Sequence, residues 1–484
     1  MKRILVSLLF ATSLFTACGR PEEEMNQTPA PALVSTSPQN GATGITALAL
    51  EAVFTFDQIV QGTAEALKGV TVDNGASVDK VSTNGRNLLV QLTGLARGNS
   101  YTVTVPAGTV TGYKENQAAS AAISLHFSMK DPNNGQEIPP EGWEKAADAV
   151  LGMRVGWNLG NTLDAHDPSW KGRSVTAFET GWGQPVTKPE LLQMCSDAGF
   201  GAIRVPVTWN LHMAEDYTVD ELWMSRVEEV VNYVLDAGMY CILNVHHDTG
   251  TDGWLRADAS VYADTRERFI SLWKQIAGRF NDYGTKLLFE SFNEMLDANN
   301  QWNYPASAGS YDYINKYNQD FVTTVRSTGG NNRYRNLVVN DYCASSDAKA
   351  FEALAVPNDS VDDHLIAEFH SYSPYMFAMY EGSDAQQTWA DWCEKEVADQ
   401  IDAIAAIGRK KGIPVIIGEY GTTAQQPVRP EEDIAKQAVC YVRNCKKNNM
   451  ACFYWMLLTD GEDRNVPQWT RPLVKDAIIN AYYE

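Results

Sequence analysis

The chain has 484 residues, 44% of them hydrophobic, and a formal net charge of −21. That length carries two or three domains and a sizeable core. So large an acidic excess repels nucleic-acid phosphates and anionic lipid surfaces, which excludes nucleic acid as a partner and favours a neutral substrate.

At the N-terminus, Lys2 and Arg3 precede an apolar run from Ile4 to Phe15, followed by Thr16, Ala17 and Cys18. A basic start, a short apolar stretch and small residues read as a secretory signal over 1–17, too short for a stable membrane span. The cysteine after Thr-Ala resembles a bacterial lipobox, although Phe15 stands where Leu is more usual. The resemblance implies lipidation at Cys18. Pro-Glu-Glu-Glu at 21–24 resembles the acidic signal that sends some Gram-negative lipoproteins to the cell surface. The expected location is therefore the outer membrane or cell surface, through a lipid anchor, with 18–30 as a polar tether.

Residues 31–130 change character. Leu48–Val60, Asn87–Leu95, Ser100–Val110 and Ala121–Met129 are Val/Thr/Leu-rich, and several alternate with period two. Turn signals such as Asn-Gly at 40–41 and 84–85 separate them. Short strands so spaced predict an antiparallel sandwich. The segment Val-Ser-Thr-Ser-Pro-Gln-Asn-Gly-Ala-Thr-Gly-Ile (34–45) resembles the opening of bacterial Ig-like domains. The region lacks Trp altogether, so a spacer is expected rather than a sugar-binding module. Residues 131–141, rich in Pro and polar groups, read as a stiff linker.

From 142 to 484, strand-like and helical patterns alternate. Eight apolar runs are read as strands: Val150–Asn158, Gly201–Val207, Tyr240–Val245, Lys286–Asn293, Asn336–Asn340, His364–His370, Pro414–Glu419 and Ala451–Trp455. Between them, Trp223, Val227, Val230, Val231 and Val234 make one helix face, as do Phe269, Leu272, Trp273, Ile276 and Phe280. Gly238 is read as the stop of the first. This alternation predicts an α/β fold, a (β/α)8 TIM barrel behind a small all-β Ig-like sandwich. The competitor, a doubly wound open sheet with a dinucleotide site, lacks a Gly-x-Gly-x-x-Gly turn after its first strand.

Barrel enzymes place reacting groups at the C-terminal ends of their strands. Those ends carry Asn158 and Asn161, Arg204 and Trp209, His246 and His247, Asn293 and Glu294, Asn340 and Asp341, His370 and Tyr372, Glu419, and Trp455. Leu-Leu-Phe-Glu-Ser-Phe-Asn-Glu (287–294) and Val-Ile-Ile-Gly-Glu-Tyr-Gly (415–421) are apolar runs that stop at carboxylates. A buried carboxylate is costly unless bonded or functional, and two are the minimum apparatus for glycosidic cleavage.

Seven stretches in order resemble glycoside hydrolase family five, in the clan of retaining barrels with acids on strands four and seven. They are 156–165 (Gly-Trp-Asn-Leu-Gly-Asn-Thr-Leu-Asp-Ala), 203–209, 244–247, 292–294, 369–378, 417–421 and 453–455. The resemblance implies Glu294 as acid/base and Glu419 as nucleophile, about 5–5.5 Å apart. It implies Asn293 at the sugar 2-hydroxyl, Arg204 keeping Glu419 anionic, Tyr372 donating to Glu419 and His370 orienting the pair. His247 is implied as a sugar contact, with the share of His246 left open, and Trp455 as a stacking floor. Met295 stands where many members carry Pro, which leaves the 295–310 loop open; Trp302 on that loop is a candidate platform, and Asn161 a candidate hydroxyl contact. The segment 370–378 resembles the branch acting on cellulose, mixed-linkage glucan and xyloglucan.

The implied function is a retaining, endo-acting β-glycanase, foremost an endo-1,4-β-glucanase, working as a monomer without a cofactor. A β-mannanase or xyloglucanase, a non-catalytic surface glycan-binding lipoprotein and a structural adhesin are the alternatives. No metal is expected: His246 and His247, as neighbours on a strand, should face opposite ways. Trp157, Trp223, Trp273 and Trp389 are read as core. Trp170, Trp182, Trp254 and Trp302 are read as loop residues of which about half line the cleft. The seven cysteines after Cys18 show no C-x-x-C spacing and read as buried thiols, with one bridge left open.

Overall fold

The structure, a computed structural model, describes residues 29–45, 49–113, 118–130, 140–424 and 426–484. The signal segment, Cys18, the acidic 21–24 stretch and 131–139 of the linker lie outside the described residues. The chain divides into a smaller N-terminal unit and a larger one carrying the barrel.

Two four-stranded sheets make up the N-terminal sandwich. Leu50–Phe56, Asn87–Thr93, Ser100–Val105 and Ile123–Met129 fall inside the four expected runs. In each, alternate residues are buried: Ala52, Phe54 and Phe56, for example, or Leu88, Val90 and Leu92. The sequence reading misses Leu33–Ser37, Ala42–Ile45 and Ser77–Asn84. All three are edge strands, rich in Ser, Thr and Gly and mostly exposed, so no apolar alternation marks them.

The larger unit closes eight parallel strands into a barrel in chain order. They are Val155–Asn158, Ala202–Val205, Tyr240–Asn244, Leu287–Glu290, Leu337–Asn340, Leu365–Ser371, Val415–Tyr420 and Ala451–Trp455, called here the first to eighth strands. The first is shorter than expected. Residues 146–153 form a helix whose Ala146, Ala149, Val150 and Met153 recur at three- and four-residue spacing. That apolar face packs with Ala202, Ile242, Leu288, Val338, Ile366, Ile416 and Phe453, the lower lining of the barrel.

Because side chains alternate along a strand, the next inward positions lie two residues on. There the lining turns polar: Asn158, Arg204, Asn244, Glu290, Asn340 and Glu368 are all 0% exposed. Outside, the helices Glu221–Asp236 and Ala259–Arg279 present the expected apolar faces to the strands. Asp220 caps the first by accepting from the Leu222 and Trp223 N–H groups. Cys195, Cys241, Cys343, Cys393, Cys440, Cys445 and Cys452 are all free and buried.

Candidate active site at the barrel mouth

Above the polar layer stand Glu294, just past the fourth strand, and Glu419, on the seventh. One oxygen of each, with a ring nitrogen of His370, lies within 4.8 Å of the others. The two carboxylates, far apart in the sequence, are thus brought together at the mouth. Strand seven reaches this geometry through a register shift: Ile417 pairs with Phe369, but Glu419 with His370. The extra residue, Gly418, lets Glu419 follow another inward position without an outward one between.

Arg204 organises the layer beneath. Its Nε and Nη2 donate to the two oxygens of Glu290, each at 2.7 Å, a bidentate pair. Nη1 donates to Glu419 Oε1 at 2.7 Å and Asn158 Oδ1 at 3.0 Å, and Nη2 also reaches Asn293 Oδ1 at 2.9 Å. Burial opposes its charge, yet Glu290, Glu368 and Glu419 together raise the guanidinium well above its usual range. Tyr372 donates its hydroxyl to Glu419 Oε2 at 2.7 Å. Burial, and then the Glu419 charge, push that phenol well up, so it stays a donor.

His370 lies between the two acids. Its Nδ1 is 2.8 Å from Glu294 Oε1 and 3.7 Å from Glu419 Oε2. Its Nε2 is 3.2 Å from Glu368 Oε1. Burial disfavours the charged ring, but Glu419, Glu294 and Glu368 outweigh it and raise the pKa to about 10. As a cation, with both nitrogens protonated, the ring offers no lone pair to a metal.

A second group gathers nearby. Asp164, His246 and His247 each bring one ligand atom within 4.8 Å of the others. This corrects the expectation that the two histidines face opposite ways. The third strand ends at Asn244, so both lie in a turn, with ring centroids 4.5 Å apart. Burial keeps both neutral, lowering His247 to about 3 and His246 well below its usual value. Asp164, raised to about 6 by burial, accepts from the backbone N–H groups of Asn161 at 3.0 Å and Thr162 at 2.7 Å. Neutral imidazoles could ligate a divalent ion or bond sugar hydroxyls; Asp164 already spends both oxygens on backbone.

Trp455 stacks on His246, centroids 5.8 Å apart and planes within 6°. Gly160 makes room for it, since a Cβ there would sit 2.9 Å from the indole. Trp182 packs against His166 and His247, at 5.2 and 5.3 Å. Trp302 is 49% exposed. Trp254 turns aside: its Nε1 donates to Asp248 at 2.6 Å and the Arg268 guanidinium covers its ring at 4.2 Å. Trp170 packs edge-on against Phe178. Trp157, Trp223 and Trp273 are buried as expected, and Trp389 packs on the core. Asn161 has a left-handed backbone, φ 60°, which Asn tolerates. The open 295–310 loop is organised by Asp297, which accepts from the N–H groups of Asn299, Gln301 and Ala306.

The reading of strand ends passed over Glu290, Glu368 and Asn244. Their signal was period two: each is a polar residue inside an apolar run, and Glu368 stands two before His370.

Known proteins resemble this chain in sequence and fold. Residues 164–461 match the cellulase family, glycosyl hydrolase family 5, and residues 27–129 match a bacterial Ig-like domain. The cellulase/esterase CelE of Acetivibrio thermocellus is 38% identical over 329 residues, 66% of this chain and 38% of that protein. Endoglucanase A of Clostridium longisporum is 32% identical over 375 residues, 75% of this chain and 71% of that one. This chain thus spans well under half of the first relative's length. A solved structure of PbGH5A, a family 5 glycoside hydrolase from Prevotella bryantii B14 in complex with a xyloglucan tetradecasaccharide, superposes with a TM-score of 0.67 at 41% identity. It covers 70% of this chain and 99% of its own. A closed barrel with two glutamates brought together at its mouth and a family match over residues 164–461 lead to one assignment: the chain belongs to glycoside hydrolase family 5, the cellulase family.

Proposed function

We propose that the chain is a retaining, endo-acting β-glucanase that cleaves cellulose-like, mixed-linkage or xyloglucan chains. The observation that carries this reading is the approach of Glu294 and Glu419 to within 4.8 Å, which fits double displacement and leaves no room for the water of an inverting pair. Glu419, held by Arg204 and Tyr372, is the nucleophile: its carboxylate attacks the anomeric carbon as the glycosidic bond breaks. Glu294 gives its proton to the leaving oxygen. In the second half Glu294, now a carboxylate, takes a proton from water, whose oxygen displaces Glu419. Negative charge thus passes from Glu419 to Glu294 and back. His370, a cation between them, serves both halves.

Around the acids, Asn293 spends its carbonyl on Arg204, which leaves its amide N–H groups for a sugar hydroxyl. His246 and His247 meet hydroxyls, Asn161 lies on the loop beside them, and Trp455 floors the site. Trp302 offers an outer platform. The relatives named endoglucanases and the xyloglucan-bound structure support glucan as the substrate class. The N-terminal pattern supports export, lipidation at Cys18 and display at the outer membrane or cell surface, with the Ig-like domain as a spacer; palmitate labelling lost in C18A tests the anchor.

The deciding experiment is a product profile on carboxymethylcellulose, barley β-glucan, xyloglucan and mannan. Short oligosaccharides from the glucans, with rapid loss of viscosity, are expected. Activity on mannan alone would make the chain a mannanase. Binding without release of reducing ends would end the enzymatic reading.

A further inference from the structure

Glu368 has no part in the chemistry just described, yet it lies directly under it. It stands on the sixth strand two residues before His370, so both side chains point into the barrel. Its Oε1 is 3.2 Å from His370 Nε2 and 3.4 Å from Arg204 Nε. The residue is 0% exposed, and its other oxygen has no hydrogen-bond partner among the described residues. The seventh strand makes way for it: a Cβ on Gly418 would fall 1.5 Å from Glu368 Oε1. Arg204 has little left for it, because its shorter bonds go to Glu290, Asn158, Asn293 and Glu419. The close partner of Glu368 is the imidazole.

We propose that Glu368 is a positioning residue that holds His370 as a cation between Glu294 and Glu419. The inference rests on the catalytic reading above for its consequence, and on geometry for its cause. Both nitrogens of His370 face carboxylates, one above and one below. Once Glu294 is a carboxylate, a neutral ring would aim a lone pair at one of them; only the doubly protonated ring then donates to both. Without the lower carboxylate, a neutral tautomer with its one proton on Nδ1 satisfies Glu294 equally well. The other groups facing the ring are Glu294 from the fourth strand, Asp341 from the fifth, Glu419 from the seventh, Arg204 from the second and His246 from the third. Burial raises the Asp341 pKa well above its usual value and so works against its charge, burial lowers that of His246, and the positive Arg204 disfavours a second cation nearby. Of the two carboxylates within hydrogen-bond distance of the ring among the described residues, Glu368 is thus the one that takes no part in the proposed reaction.

The test compares the full-length wild type with E368Q and E368D by two readouts. The first is the titration of His370 in spectra of protein labelled with 15N-histidine, assigned by the signals lost in H370N. The second is the alkaline limb of kcat/KM. In E368Q the ring is expected to lose its proton about one to two pH units lower than in the wild type. The alkaline limb moves down with it, and E368D lies between. An unchanged ring titration overturns the proposal, and so does a shifted titration with an unmoved rate profile. If E368Q does not fold, E368D against the wild type gives the same pair of readouts with a smaller downward shift. The titration needs no turnover. A protein that cleaves no polysaccharide therefore defeats the glycanase reading alone, while the titration still decides whether Glu368 holds the ring.

Discussion

His247, half-buried, and His370, buried, stand at the same barrel mouth, and desolvation works against charge on each. Yet the first is lowered to about 3 and the second raised to about 10. The difference lies in their partners. His247 Nε2 approaches one carboxylate, Asp164, only at 3.9 Å, and that group is already bonded to backbone. His370 has carboxylates at 2.8, 3.2 and 3.7 Å. In one cleft, direct carboxylate contacts rather than depth decide whether an imidazole is a neutral hydrogen-bonding surface or a fixed positive charge.

The largest expected effect breaks the cationic side at its centre. Glu419→Gln should lower kcat by at least about a thousandfold with little change in thermal unfolding. Retention of a tenth of the wild-type rate would remove Glu419 as nucleophile. Next comes Arg204→Met, which leaves Glu290, Glu368 and Glu419 buried around an uncharged side chain. Unfolding in urea should register a loss of about 3–5 kcal/mol; an undiminished midpoint would mean the layer is held otherwise. The third test concerns pH. His370 is raised from 6.5 to about 10, so its contribution to stability is full below pH 6.5 and is lost as pH rises through about 10. Melting temperatures should fall across that window in the wild type and fall less in H370N. The neutral side gives the smaller effects. His247→Ala should raise KM up to about tenfold with kcat nearly kept, the mark of uniform binding. Dialysis against a chelator should change neither activity nor melting temperature; a loss restored by a divalent ion would make Asp164, His246 and His247 a metal site.

The barrel and its two acids were legible because a carboxylate that closes an apolar run is too costly to bury without a task. The charge balance beneath was not. Arg204 meets Glu290 86 residues away and Glu419 215 away, and no local pattern encodes which buried charges neutralise which. Residues 150–153 were read as strand because a buried helix and a buried strand are equally apolar over so short a stretch. The turn that brings His246 beside His247 depends on the third strand stopping at Asn244, a boundary that apolarity alone does not mark. The edge strands of the sandwich carry no apolar alternation.

The helix Ala146–Met153 stoppers the barrel from below with four apolar side chains. The charged layer above it therefore meets solvent from one direction only. On the proposed reading, a glucan chain lying across the mouth would close that remaining entrance and shut the layer of Arg204, Glu290 and Glu368 off from bulk water.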